Sequence, residues 1–333
     1  MDQNAASDRQ TEVGRLLYEV KRVIVGQDHM LERIIVGLLA RGHLLVEGVP
    51  GLAKTLAIKT IAGALHGDFK RIQFTPDLVP ADLVGTRIYN QKTGEFQTSL
   101  GPVFTNLVLA DEINRAPAKV QSALLEVMQE RQVTIGARTF EVPDPFLVLA
   151  TQNPIESEGT YPLPEAQVDR FMLKVLVDYP AHDEELTVVA RSLEAPPVLE
   201  RVLSIEALKS LQLQAAGVFV DPALISWTVD VATATRRPRE HGLDAVADYI
   251  AYGASPRGPI SLVAAGRALA LMRGRDYVVP ADLEALVRDA FRHRLVLSYR
   301  ALAEEVAPDA ILDAVLGAVP APRIDLRRVP AIA

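Results

Sequence analysis

Two stretches of the chain carry residue types that together could hold and split a phosphoanhydride: GVPGLAKT, Gly48 to Thr55, and LVLADE, Leu107 to Glu112. The first nearly fits the phosphate-cradling template G-x-x-x-x-G-K-[ST], with Ala53 standing where the template has its second glycine. Such a loop needs backbone N–H groups free to converge on an anion, a helix N-terminus with unpaired donors, and a lysine beside a hydroxyl. Gly48, Val49, Pro50, Gly51, Leu52 and Ala53 would form the cradle, Lys54 would reach the terminal phosphates of ATP, and Thr55 would ligate Mg²⁺. The alternative is an apolar strand that enters a helix through a glycine-rich bend. Ala53 is expected to be tolerated because a chain already entering the helix has a negative φ there, where a methyl group costs little.

The second stretch is an apolar strand ending in two acids. Asp111 is placed to hold Mg²⁺ with Thr55, directly or through water, and Glu112 to polarise a water for attack on the γ-phosphate. Read alone, the pair is also an ordinary solvated strand end. A third strand end, ATQNP, offers Asn153 to orient that water or touch the γ-phosphate; an asparagine before a proline is otherwise a common turn residue.

Positioning these groups requires a sheet whose strand ends converge. HLLVE (43–47), KRIQF (70–74), LVLAD (107–111), FLVLAT (146–151) and LKVLV (173–177) read as strands, and several are unbroken apolar runs, as expected where helices cover both faces. Helices are expected near 15–22, 27–40 and 54–65, so residues 1–180 read as a three-layer α/β domain with a five-stranded parallel sheet. Residues 181–333 read as a helical second domain, with helices near 205–212, 221–234, 243–251, 258–273, 281–297 and 307–316 and a peripheral tail from Pro320. In SPRG, Ser255 is the expected N-cap and Pro256 the first helical residue. Arg257 then sits at a helix N-terminus, where the dipole favours anions; a bound phosphate would compensate, and a solvated arginine is the plain alternative.

The chain has 333 residues, 49% hydrophobic and 23% charged, enough for one large core or two medium ones. Its net charge of -7 disfavours nucleic acid as a partner, despite the local run Arg236, Arg237 and Arg239. The absence of cysteine excludes disulfide and thiolate chemistry. Apolar runs are too short to span a bilayer and the N-terminal stretch has no apolar or basic leader, so no integral membrane segment and a cytoplasmic location are expected.

The set GVPGLAKT, GPVFTNLVLADEINRAP, LLEVMQERQVTI, ATQNPIESEGTYPLPEAQVDRF and GASPRG, kept in order, resembles the MoxR family of AAA+ ATPases from Val25 to about Leu297. Many members of that family carry an alanine before the lysine of this loop. The resemblance implies that Lys54 and Thr55 are the Walker A pair, Asp111 and Glu112 the Walker B pair, and Asn153 sensor 1. It also implies that Arg170 is an arginine finger offered to a neighbouring subunit, that Arg257 is sensor 2 on a helical lid, and that Val25 and Gly26 pack near adenine. From the sequence itself, Arg170 could equally be a structural cation paired with Asp169 or Glu165.

Residues 78–104 and 131–145 are long connections, with QKTG (91–94) suited to a hairpin turn and two short strands expected around 135–137. They resemble the helix-2 insert and the pre-sensor-1 hairpin of the family. The resemblance implies a homo-hexameric ATP-hydrolysing ring that remodels or activates a protein partner, with a von Willebrand factor A domain protein as one candidate. A magnesium-chelatase-like motor, a nucleic-acid motor and a non-catalytic nucleotide-dependent binding protein are the alternatives. ATQNPIESEGTYPLPEAQ weighs against the first, net charge against the second, and the last requires Lys54 and Glu112 both to be idle.

Overall fold

A computed structural model describes residues 3–92, 94–154, 159–195 and 197–324, with side chains described from Glu12 onward. In chain order the first part holds α1 (Gln3–Val23), α2 (Asp28–Leu39), β1 (Leu44–Glu47), α3 (Lys54–Ala64), β2 (Phe69–Gln73), α4 (Pro80–Val84), β3 (Gly85–Asn90), β4 (Glu95–Leu100), β5 (Leu107–Asp111), α5 (Ala118–Glu130), β6 (Gln132–Ile135), β7 (Arg138–Glu141), β8 (Leu147–Gln152), α6 (Glu165–Val168) and β9 (Leu173–Leu176). The second part holds α7 (His182–Ser192), α8 (Ile205–Gly217), α9 (Pro222–Arg236), α10 (Asp244–Ala247), β10 (Ile250–Tyr252), α11 (Arg257–Met272), α12 (Pro280–Phe291), β11 (Val296–Leu297), α13 (Tyr299–Ala303) and α14 (Pro308–Ala318).

The five expected strands form one parallel sheet in the order β2-β5-β8-β1-β9. The unbroken apolar run of β5 follows from its inner position. Leu107 and Leu109 enter a core shared with α2, α3 and the later helices, while Val108 and Ala110 enter a second core built on α5. At the sheet edge, β2 buries Ile72 and exposes Arg71 and Gln73, which therefore share one face of the strand. The two long connections are two-stranded hairpins, β3 with β4 and β6 with β7, as their turn residues suggest. Thr93, within the first turn, lies outside the described residues, as do residues 325–333 of the expected tail.

The helical part is tied to the sheet through buried ions. Arg33 on α2 and Arg292 both donate to Asp289 of α12, at 2.5 and 2.6 Å, and Arg292 also donates to the carbonyl of Lys174 in β9. Burial pushes the Asp289 carboxyl up, but His29, Arg292 and Arg33 outweigh it and hold the group at about 2.

Several expectations are corrected. The helix expected over 281–297 ends at Phe291, because Arg292, His293 and Arg294 are buried and bond carbonyls of Lys174, Phe171 and Met172 in the first part of the chain. The helix expected over 243–251 stops at Ala247, and the chain pairs Ile250–Tyr252 antiparallel to β11. Helix α7, unforeseen, has no buried residue to give it a periodic signal; Glu184 accepts from the Ala181 N–H at its start. Helix α11 begins at Arg257 with Pro256 as its N-cap, although Ser255 Oγ still accepts from the Arg257 N–H at 3.1 Å. Among the described residues no helix is long and apolar enough to cross a membrane.

Candidate nucleotide site

Gly48 follows β1 directly, and a Cβ there would lie 2.6 Å from the Val177 carbonyl oxygen; only glycine fits between the strand ends. Gly51 takes φ +87° and opens on free space. Ala53 does not have the negative φ expected for it. It is the N-cap of α3 with φ 55° and ψ 17°, and its carbonyl accepts from the Ala57 N–H. A left-handed residue directly ahead of a helix is the backbone geometry in which successive N–H groups can form an anion nest, at a cost of roughly 1–2 kcal/mol for a residue with a Cβ. Ala53→Gly is accordingly expected to remove this strain, partly offset by greater unfolded-state freedom, for a net stabilisation under about 1 kcal/mol. ATPase activity should stay within a few-fold of the parent, and thermal unfolding with a steady-state assay checks both; a collapse of activity in a folded variant would contradict a purely backbone role.

Lys54, half-buried at the start of α3, turns its ammonium onto the carbonyls of Gly48 and Gln152. Burial lowers its pKa, opposed by Asp111, Glu47 and Glu112. Thr55 Oγ1 donates to Asp111 Oδ2 at 3.2 Å, so a hydroxyl and a carboxylate, both hard oxygen ligands, meet beside the loop. Asp111 is buried, and its other oxygen accepts from Thr151 Oγ1 at 2.6 Å, while Thr151 itself accepts from the Glu112 N–H at 2.9 Å. Glu112 takes φ 57°, a left-handed turn that swings its carboxylate out of the sheet toward Gln73 and Arg115. Asn153 follows β8 and is buried at the same end of the sheet. The nest, the inward lysine and the Thr55–Asp111 pair fit a nucleotide with a divalent cation.

Val25 and Gly26 lie between α1 and α2, where Gly26 takes φ +64° and a Cβ on it would lie 2.6 Å from the Glu184 carboxylate at the start of α7. The adjacent Gln27 donates to the Asp178 carbonyl at 2.9 Å, just beyond the strand end that flanks Gly48. This segment therefore borders the phosphate loop.

Arg170 and Arg257 are elsewhere. Together with Gly42, His43, Arg131 and Arg294 they line a cavity of about 290 Å³. Gly42 and His43 precede β1, whereas Gly48 and Lys54 follow it, so the four-residue strand, about 13 Å long, separates the arginines from the phosphate loop. Arg170 Nη1 donates to the Leu125 carbonyl at 2.8 Å, and Arg257 is exposed on the first turn of α11. Among the described residues, Arg170 pairs with neither Asp169 nor Glu165. Asp169 instead accepts from Arg294 Nε at 2.8 Å and from Ser255 Oγ at 2.9 and 3.0 Å. Asp169 thereby fixes the loop that carries Arg170 to the helix start that carries Arg257. Burial lowers the Arg294 guanidinium to about 10, against the pull of Asp169.

Sequence reading missed Thr151, Asp169, Arg71, Gln73 and Arg115. Thr151 stands two positions before Asn153 in a run already singled out, so its period-two placement facing Asp111 was the available signal. Arg115 lies three residues after Glu112, an ion-pair spacing that was also available; for Asp169, Arg71 and Gln73, contacts across strands or across the two parts of the chain decide the role, and no local pattern announces them.

A family model described as "ATPase family associated with various cellular activities (AAA)" matches residues 43–173, and one described as "AAA lid domain" matches 243–315. Chaperone MoxR1 of Mycobacterium tuberculosis is 57% identical over 311 residues, covering 93% of this chain and 82% of that protein. Protein MoxR of Paracoccus denitrificans is 34% identical over 321 residues, covering 90% and 93%. A solved structure from Cytophaga hutchinsonii, 46% identical, superposes with a TM-score of 0.90 over 96% of this chain and 98% of that one. With its phosphate loop, five-stranded parallel sheet and helical lid, and with these relatives along nearly its whole length, the chain belongs to the MoxR family of AAA+ ATPases.

Proposed function

We propose that the chain works as a homo-oligomeric ring, a hexamer by its family resemblance, in which each ATP site is shared by two copies and hydrolysis remodels or activates a partner protein. The observation that carries this reading is the division of the site. Lys54, Thr55, Asp111, Glu112 and Asn153 gather at the C-terminal end of the sheet, and Arg170 and Arg257 at the other end. Two different surfaces that complete each other make a head-to-tail contact, which closes into a ring when the rotation allows.

Within one site, the loop from Gly48 to Ala53 and Lys54 bind the phosphates, with Val25 and Gly26 beside the base. Thr55 and Asp111 would hold Mg²⁺, which supplies charge neutralisation on the phosphates when bound. Glu112 accepts a proton from water, Asn153 orients that water, and Arg170 and Arg257 of the neighbouring copy face the charge that develops on the γ-phosphate. The partner is read as a protein because the relative from Mycobacterium tuberculosis is named a chaperone and because the β3–β4 hairpin carries Ile88, Tyr89, Phe96 and Leu100 exposed. A protein with a von Willebrand factor A domain remains the candidate that the family resemblance suggests. The net charge of -7 favours a protein over nucleic acid.

Glu112→Gln is expected to bind ATP as tightly as the parent and to lose at least about 100-fold in turnover, since it keeps the shape and removes the base. Equilibrium binding of a fluorescent ATP analogue and phosphate release check the two halves. Light scattering of the ATP-locked variant should show one discrete oligomer. A monomer under saturating ATP would contradict the shared site.

A further inference from the structure

The β3–β4 and β6–β7 hairpins border a cleft of about 600 Å³, lined by Arg87, Phe96, Gln97, Thr98, Ile135 and Arg138 among others. Its two cations lack a counterion: among the described residues, neither Arg87 nor Arg138 forms an ion pair. The arginine run of the helical part differs, since Arg237 meets Glu240 and Arg239 meets Asp248. The Arg87 guanidinium lies 4.7 Å over the Phe96 ring, and Tyr89, opposite Phe96 in the β3–β4 register, packs against that ring at 5.2 Å. A guanidinium carries five N–H donors in a planar fork, and a ring contact leaves the fork available to a carboxylate.

The turn between β6 and β7 lies directly on Arg87. Gly136 takes φ +66° there, and a Cβ on it would lie 2.6 Å from Arg87 Cδ. Arg138 follows two residues later, at most about 7 Å along the chain, so two hairpins bring one arginine each to the same cleft. The walls beside them are apolar. Ile135 is buried opposite Arg138, and Phe140 is held edge-on at 6.3 Å by Phe104, which packs on the α5 core. Phe96, Gln97 and Thr98 all line the cleft, and a strand presents consecutive residues at its edge, whereas a face presents alternate ones. Among the described residues that edge of β4 is unpaired, because β4 pairs only with β3.

Resting on the reading of the partner as a protein, we infer that this cleft binds an extended acidic segment of that partner, one in which aspartate or glutamate stands between apolar residues. A carboxylate accepting from both Arg87 and Arg138 supplies the missing counterion and offsets the repulsion of two like charges. The apolar neighbours cover Phe96, Ile135 and Phe140, and the free edge of β4 takes main-chain hydrogen bonds from the segment. A nucleic-acid strand offers anions to the same arginines. Its charge density is opposed by the net charge of -7, and its backbone leaves the apolar walls uncovered.

The probe is an end-blocked, fluorescein-labelled octapeptide of alternating leucine and glutamate. It is titrated with the full chain in the presence of a non-hydrolysable ATP analogue and followed by fluorescence anisotropy. Saturable binding is expected, and Arg87→Gln and Arg138→Gln should each weaken it about tenfold, the scale of one lost hydrogen bond to a charged group. Arg87→Lys, which keeps the charge and loses the fork, should fall between Arg87→Gln and the parent. Neither arginine belongs to the ATP site, so basal ATP hydrolysis of each variant should stay parental, which also shows that it folds. No saturable binding, equal binding of a peptide with glutamine for glutamate, or parental affinity in both variants would overturn the inference and leave a protein partner standing. Binding of an oligonucleotide of equal charge that is lost in the same variants, with no binding of the peptide, would overturn the protein-partner reading as well. A smaller oligomer by light scattering in either variant, with peptide binding unchanged, would assign the arginines to contact between copies and overturn the inference.

Discussion

Lys54→Ala is expected to weaken ATP binding by roughly 10²-fold or more, the usual scale for truncating one partner of a desolvated charge pair. The ammonium is half-buried at the mouth of the anion nest and, among the described residues, bonds the carbonyls of Gly48 and Gln152, so it stands ready to exchange them for phosphate oxygens. Its replacement leaves the helix N-terminus and the backbone N–H groups in place but no cation to neutralise the β and γ phosphates. The fold should persist, because Ala57, Ile58 and Ile61 hold α3 to the sheet from its buried face, and Lys54 adds only a bond to the Gln152 carbonyl at the end of β8. Titrating a fluorescent ATP analogue against Lys54→Ala and Glu112→Gln checks the contrast: loss of binding in the first, parental binding in the second. Equal affinities for the parent and Lys54→Ala would remove the phosphate loop from the account.

How much of this was legible depends on whether a role is local or made by assembly. Lys54, Thr55, Asp111, Glu112 and Asn153 stand at the ends of strands that announce themselves as apolar runs, so their convergence follows once those strands lie parallel in one sheet. Ala53 departs from its local pattern: a residue directly before a helix is expected to share the helix's negative φ, but it takes the left-handed conformation at the N-cap. Arg71 and Gln73 sit on an edge strand whose alternation looks like ordinary solvent exposure; only the β2–β5 register, set by chain 38 residues apart, brings Gln73 opposite Asp111. Asp169 is illegible for a similar reason, since its partners Ser255 and Arg294 come from the other part of the chain. Nor could the sequence say where the lid sits. The motif around Arg257 suggested a lid arginine over a nucleotide, but the ties of Arg292, His293 and Arg294 to carbonyls of the sheet region dock α11 beside Arg170 instead.

Arg170→Ala is expected to keep ATP binding and to lose about 10³-fold in hydrolysis, a loss in the range for arginines donated to a transferring phosphoryl group. Binding should survive because the cavity that holds Arg170 is separated from its own phosphate loop by the length of β1. Folding should survive because the ion pair of the segment belongs to Asp169 and Arg294, and Arg170 contributes a single bond to the Leu125 carbonyl. The central claim, that each site takes its arginine from another copy, is tested most directly by measuring phosphate release from mixtures of Arg170→Ala and Glu112→Gln subunits, each inactive alone. Mixed rings contain sites that pair an intact Glu112 with an intact neighbouring Arg170, and the account predicts that turnover reappears, greatest near equal proportions. A mixture that co-assembles and stays inactive at every ratio would contradict it.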